Sequence, residues 1–215
     1  MSHPPTILIT AGPTHEAIDP VRYLANRSSG KMGFALAAAA AVRGWNVILI
    51  SGPVALTTPP GVTRVDVVSA AEMFAAVRQH CPQADMAILA AAVADFTPIQ
   101  CADQKIKKSG PGTITLVLEQ TKDILGSMRH EFAFHGKLIG FAAETENLLD
   151  NAQQKLIRKG CDMLVANDVS RSDIGFASAN NQVSFLFRDG RPTLHLPFMP
   201  KSELAKHILA QCAGL

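Results

Sequence analysis

The chain is 215 residues long, 47% hydrophobic and 18% charged, which fits one well-cored soluble domain and excludes a disordered chain. Twenty Lys and Arg against eighteen Asp and Glu give a net charge of +2, with one Trp and one Tyr; this is too little positive charge and aromatic surface for a nucleic-acid binder, so a small ligand is expected. Apolar stretches break off before the roughly 20 residues a membrane span needs, and the opening residues are too few and too Pro-rich for a signal peptide, which predicts a cytoplasmic protein with no membrane partner. Cys81, Cys101, Cys161 and Cys212 form no CxxC pair and read as reduced thiols rather than a disulfide framework or a zinc knuckle.

Short apolar runs alternate with helical ones through the first two-thirds of the chain, the signature of βαβ units and a mainly parallel sheet. In chain order the pattern predicts a strand over 6–10, a helix over 31–43, strands over 46–51 and 63–67, and a helix over 70–80. Strands over 85–91 and 113–119, a helix over 124–134, a strand over 138–143, a helix over 148–159 and a strand over 162–166 follow. Residues 182–187 and 193–197 flank the turn Arg188-Asp189-Gly190-Arg191 and form a C-terminal β-hairpin. A last helix spans 202–212 with Ser202 as its N-cap. The fold class expected is α/β, a single domain over 1–215 with a Rossmann-like, doubly wound, mainly parallel sheet. In such a sheet ligands bind at the carboxyl ends of the strands, where the loops 11–30, 92–112 and 144–147 converge.

Chemistry is concentrated in those loops. Asn26-Arg27-Ser28-Ser29-Gly30-Lys31-Met32-Gly33 opens an alanine-rich helix. The unpaired N–H groups of a helix start, the permissive backbone of Gly30 and the hydroxyls of Ser28 and Ser29 make an anion site, whereas Gly33 and the alanines read as small residues for close helix–sheet packing. The G-x-G-x-x-G spacing of a dinucleotide site is missing, and the second strand ends in Ser51-Gly52-Pro53 without an acid for a ribose. A Walker loop is excluded by the missing upstream Gly and by Met32 after Lys31.

Ala90-Ala91-Ala92-Val93-Ala94-Asp95 ends the fourth strand. Its small residues leave backbone groups accessible, and Asp95 is placed to accept from sugar hydroxyls, to help hold Mg²⁺, or simply to cap the strand. In Lys105-Ile106-Lys107-Lys108 an extended backbone puts Lys105 and Lys107 on one side; they face a polyanion on a flap hinged at Gly110 and Gly112, or form a solvated charge run. On the helix over 148–159, Lys155 and Lys159 project within about 20° of Leu148, at the margin of the apolar stripe Leu148, Ala152, Leu156. That position predicts an anion at the pocket wall, the alternative being lysines that complement the helix dipole and snorkel outward. No G-x-S-x-G or HExxH motif and no His with a Cys or Ser partner stands out, so charge stabilisation of phosphates is expected rather than covalent catalysis.

Seven stretches, in order, resemble the phosphopantothenoylcysteine synthetases (CoaB enzymes) of coenzyme A biosynthesis: Ile9 to Thr14, Asp19-Pro20-Val21-Arg22, Asn26 to Gly33, Ala91 to Asp95, Lys105 to Lys108, Gly140-Phe141-Ala142-Ala143-Glu144-Thr145 and Ala166-Asn167-Asp168. The resemblance implies an amide ligase that uses CTP and Mg²⁺ to activate 4′-phosphopantothenate as an acyl-cytidylate and couples it to L-cysteine. It also implies that Ser28, Gly30, Ala91, Asp95, Lys105, Asp123, Phe141, Lys155 and Lys159 bind CTP, that Arg22, Asn26, Ala91 and Ala92 bind phosphopantothenate, and that Asn26 and Lys105 are catalytic. Mg²⁺ would be held mainly through the CTP phosphates. Gln120-Thr121-Lys122-Asp123-Ile124 stands where relatives carry Asn-Pro-Asp-Ile, so only Asp123 is carried over there. The family further implies a homodimer, with the hairpin edge as a pairing surface, and association with a phosphopantothenoylcysteine decarboxylase; the chain is either free-standing or an excised piece of such a fusion. Two rivals are an NAD(P)-dependent oxidoreductase, weakened because Tyr23 is followed by Arg27 rather than a Lys at the same spacing, and a nucleotide-binding module without turnover.

Overall fold

The computed structural model describes residues 3–108, 112–144, 147–168 and 178–215; Gly110 of the expected flap and Thr145 and Glu146 of the expected 144–147 loop lie outside the described residues. The elements are β1 (Thr6–Ala11), β2 (His15–Ala17), β3 (Tyr23–Ala25), α1 (Lys31–Val42), β4 (Asn46–Ser51), β5 (Val62–Asp66), α2 (Ala70–His80), β6 (Met86–Leu89), β7 (Phe96–Pro98), β8 (Leu118–Gln120) and α3 (Ile124–His130). After them come β9 (Lys137–Glu144), α4 (Leu148–Arg158), β10 (Met163–Asp168), β11 (Asn180–Asn181), β12 (Val183–Phe187), β13 (Leu194–His195), β14 (Met199–Pro200) and α5 (Lys201–Ala213).

Eight strands form the central sheet in the order β13-β12-β10-β9-β6-β1-β4-β5. The six from β10 to β5 run parallel, and β12 and β13 add antiparallel at one edge. Alternation along each strand divides the core between two faces, as the two-residue period of a strand requires. Ile7, Ile9, Leu49, Ile88 and Val165 pack on one face with residues of α1 and α5, while Leu8, Ile50, Ala87, Leu138 and Leu164 pack on the other with residues of α2, α3 and α4. The chain winds outward from β1 to β5 and then restarts at β6 on the other side of β1. The two crossovers therefore leave β1 and β6 in opposite directions, and a crevice opens at the carboxyl ends of these strands. The doubly wound sheet and C-terminal hairpin expected from the sequence are present.

Three expectations are corrected. The stretch 113–119 does not join the sheet: only β8 is a strand, and it pairs with β7 in a separate ribbon. Its alternating pattern misleads because the place beside β6 is taken by β9, leaving Ile114 and Val117 60% and 65% exposed. The last helix starts at Lys201 rather than after a Ser202 cap; Pro200 precedes it with extended backbone and no side-chain cap. The strand predicted over 85–91 ends at Leu89, because Ala91, Ala92 and Ala94 turn away to meet the loop that follows β1.

Candidate active site

The loop after β1 and the segment after β6 are built against each other. Gly12, at φ 78°, offers its carbonyl to the Ala92 N–H at 2.9 Å, a backbone conformation that a side chain would strain. Two buried threonines complete the junction: Thr10 Oγ1 accepts from the Ala91 N–H at 3.1 Å and Thr14 Oγ1 from the Ala94 N–H at 3.0 Å. Thr121 closes it from the far side, donating through Oγ1 to the Ala94 carbonyl at 2.6 Å. Ala91–Asp95 is thereby fixed at a rim, and beside it lies a cavity of about 780 Å³.

Of the residues expected in the site, Asn26, Ser28, Gly30, Ala91, Ala92, Asp95, Asp123, Phe141, Lys155 and Lys159 all line this cavity. Gly30 occupies the N-cap of α1 at φ 76°, so no cap side chain covers the first turn, and its N–H donates to Ser28 Oγ at 3.3 Å. First-turn N–H groups of a helix have no intrahelical partner, and here Lys31, Met32 and Gly33 face the cavity. The packing reading of Gly33 is explained as well: a Cβ there would stand 2.4 Å from the Ala11 Cβ. Asn26 is tied to the rim, its Nδ2 donating to the Ala92 and Val93 carbonyls at 3.2 and 2.9 Å. β4 ends in buried Ser51, whose hydroxyl donates to the Gly52 carbonyl at 2.8 Å, so no acid is offered there to a dinucleotide ribose.

The opposite wall is cationic. Ala152 and Leu156 anchor α4 in the core, and this holds Lys155 and Lys159 half-buried at the margin, as the helical spacing predicted. Lys155 Nζ donates to the Phe141 carbonyl at 3.0 Å. Lys159 pairs with Asp123, which also caps α3 by accepting from the Gly126 N–H at 2.9 Å. Partial burial pushes the Asp123 carboxyl up, but Lys159, the Gly126 N–H and Lys155 together outweigh it and hold the group below its usual range. Among the described residues, no group of three or more His, Cys, Asp or Glu is arranged to hold a metal.

Arg22 and Lys105 are not in the cavity lining. Buried Asp19 accepts from the Arg22 guanidinium and from the Ile106 N–H at 3.1 Å, while Arg22 donates to the Ile106 carbonyl at 2.9 Å. Arg22, with burial opposing, holds the Asp19 carboxyl well below the usual carboxylate range. The pair grips both polar groups of Ile106, and so sets the course of the exposed lysine segment.

Among the cavity residues to which the sequence reading gives no binding role are Lys31, Arg158, Asn167 and Lys201; helical spacing points Arg158 away from the side that carries Lys155 and Lys159, and the lining corrects that expectation. Asn167 stands at the end of β10, 9% exposed, with no hydrogen-bond partner for its amide oxygen. Its signal was its place at a strand's carboxyl end. Lys201 had none, since a lysine at a helix start reads as solvated.

A doubly wound α/β domain with its ligand cavity at the topological switch point is the class these features define. Within that class, the chain belongs to the family described as the DNA/pantothenate metabolism flavoprotein C-terminal domain, which it matches over residues 3–215. It is 47% identical over 204 residues to the coenzyme A biosynthesis bifunctional protein CoaBC of Vibrio cholerae serotype O1, covering 94% of this chain and 51% of that protein. With the CoaBC of Escherichia coli K12 it shares 49% identity over 192 residues, 88% of this chain and 47% of that protein. The chain thus spans about half the length of the curated relatives it matches. A solved structure of the C-terminal domain of CoaBC is 43% identical, with a TM-score of 0.81, covering 96% of this chain and 93% of that one. No described helix is long and apolar enough to cross a membrane.

Proposed function

We propose that the chain is a phosphopantothenate–cysteine ligase acting in coenzyme A biosynthesis, which uses CTP to activate 4′-phosphopantothenate and transfers the acyl group to L-cysteine. The observation that carries this reading is one cavity holding both halves of the expected residue set, the Asn26–Ala92 rim and the Lys155–Lys159 wall, in a chain matched along nearly its whole length by the C-terminal domain of CoaBC.

In the first step a carboxylate oxygen of phosphopantothenate attacks the α-phosphorus of CTP, an acyl–phosphate bond forms, and pyrophosphate leaves with the electron pair. The protein's task is to bring two anions together and offset charge. Ser28, Gly30 and the first turn of α1, with Lys155 and Lys159, would bind phosphate, Asp95 the ribose, and Phe141 and Ala91 the base side of CTP; Lys105 would reach the phosphates from its segment. Asp123 would orient Lys159. In the second step the cysteine amine adds to the acyl carbon, CMP leaves and a proton is lost. Asn26 would serve the developing oxyanion by releasing the longer of its two backbone contacts, the 3.2 Å bond to the Ala92 carbonyl, and turning that N–H to the acyl oxygen. The Ala91–Ala92 backbone and Arg22 complete the phosphopantothenate assignment.

Mg²⁺ characteristically takes one or two carboxylates and leaves most of its shell to phosphate oxygens and water. Mg²⁺ would accordingly be held mainly through the CTP phosphates, with Asp95 the lining carboxylate that lies outside the Asp123–Lys159 pair, and the bound ion would offset triphosphate charge. We further propose a homodimer paired through the exposed edge strand β13, and a phosphopantothenoylcysteine decarboxylase as the neighbouring activity in the longer relatives. The test is pyrophosphate release from CTP, which is expected only when phosphopantothenate is present; release that ignores phosphopantothenate would overturn the ligase reading and make the chain a nucleotide hydrolase.

A further inference from the structure

Lys201 is a cavity cation to which the proposed reaction gives no role. It opens α5 immediately after Pro200, is 7% exposed, and donates from Nζ to the Ser178 carbonyl at 2.8 Å. Burial, reinforced by Lys31, lowers its ammonium to about 8. Burying a lysine beside another lysine works against the charged form, and α5 does not need it for packing, since Leu204, Ala205, Ile208 and Leu209 already fill its core face. An anion bound beside the Lys201 ammonium would favour its charged form.

Three features set Lys201 where such an anion would sit. Lys31 and Lys201 both line the main cavity. They come from α1 and α5, which pack on one face of the sheet, whereas Lys155 and Lys159 come from α4 on the other. Asn167, nine-tenths buried and without a partner for its amide oxygen, lines the same cavity from the end of β10, so the ligand carries a hydroxyl or amine donor beside its charge. The crevice at the end of the sheet thus has cations from each layer. The ligase reading, on which this step rests, supplies two phosphorylated reactants to match them.

We propose that Lys201 is a binding residue of the cavity: with Lys31 and the start of α1 it seats a phosphoryl group, belonging either to the nucleotide's phosphate chain or to phosphopantothenate. The C-terminal helix is therefore part of the site and not only its scaffold. Full-length Lys201→Met, Lys201→Arg and, as a control outside the cavity, Lys206→Met are titrated by calorimetry with inorganic pyrophosphate, CTP and phosphopantothenate separately. Lys201→Met is expected to weaken pyrophosphate binding by about tenfold or more, Lys201→Arg to restore most of it, and Lys206→Met to change nothing. Whichever of CTP and phosphopantothenate weakens by the same factor is the source of the phosphoryl group. Should Lys201→Met fail to fold, acylation footprinting of the wild-type chain replaces it: saturating pyrophosphate is expected to slow modification of Lys201 but not of Lys206. Wild-type affinity for all three anions in Lys201→Met, no binding of any of them by the wild type, or a footprint that pyrophosphate leaves unchanged would reduce Lys201 to a prop for the Ser178 carbonyl. Pyrophosphate affinity that depends on Lys201, found without any amide synthesis, would sink the ligase reading and leave the anion seat standing.

Discussion

Charged side chains gather at both ends of the central sheet, and the two ends treat them differently. At the amino end the Arg129 guanidinium donates to the Gly160, Phe134 and Gly136 carbonyls at 3.0, 2.6 and 2.9 Å and to Asp162 at 2.7 Å. Asp162 in turn accepts from the Leu138 N–H at 2.7 Å. Every group in this network is answered by protein, and the adjoining cleft measures only about 330 Å³. At the carboxyl end lysines from both layers, among them Lys31 and Lys201 from one and Lys155 and Lys159 from the other, line a cavity of about 780 Å³, and the buried amide oxygen of Asn167 there finds no partner. Polar groups turned into a packed network hold strands and loops in place; those that line an open cavity, even where a backbone carbonyl or a carboxylate holds them in position, can also meet a ligand.

Lys105 tests the comparison hardest, because it is a cation outside the cavity lining to which a reaction role is assigned. Lys105→Gln is expected to cost roughly 2–4 kcal/mol of transition-state stabilisation in kcat/KM, the scale of deleting one preorganised charge donor, while Lys108→Gln, on the opposite side of the extended segment, costs less than about 0.5 kcal/mol. Equal and mild effects would return the cluster to a solvated charge run. At the closed end, Arg129→Met is expected to lower stability by about 2–3 kcal/mol in urea unfolding, because it strands Asp162 and three carbonyls; nucleotide affinity of the folded fraction should not change. A loss of affinity with intact stability would mean that the amino end also serves the ligand.

The smallest effect separates the two uses of Asp123, which caps α3 and pairs with Lys159. Its carboxyl is held below the usual range, so the stability it confers is complete above its unfolded value of about 3.9 and is lost as pH falls through the lower folded value. Lys159→Gln is expected to flatten that acid limb slightly while weakening CTP binding by about 1–2 kcal/mol. An unchanged CTP affinity would make Lys159 a structural partner of Asp123, in the manner of Arg129.

How far each part of the molecule could be read from sequence follows from how local its cause is. The parallel strands and the four large helices are written in short periodic patterns, and the stripe through Leu148, Ala152 and Leu156 set the side of α4 on which Lys155 and Lys159 emerge. The stretch 113–119 has an equally good strand pattern but no neighbour in the sheet, since the place beside β6 is taken by β9 and pairing is not decided by local propensity alone. Asn26 was legible as a polar group near the site, but its grip on two carbonyls depends on a fold contact 66 and 67 residues away. Lys201 was invisible because its burial comes from α1 and the 178–181 segment closing around it.

The most direct measurement is a product inventory by mass spectrometry after incubating the purified chain with CTP, Mg²⁺, 4′-phosphopantothenate and L-cysteine. Activation at the α-phosphorus predicts phosphopantothenoylcysteine, CMP and pyrophosphate in equal amounts, with no CMP formed when phosphopantothenate is left out. CDP and orthophosphate beside the amide would place the attack on the terminal phosphate instead, and no amide at all, with an active ligase run in parallel, would contradict the function proposed for this cavity.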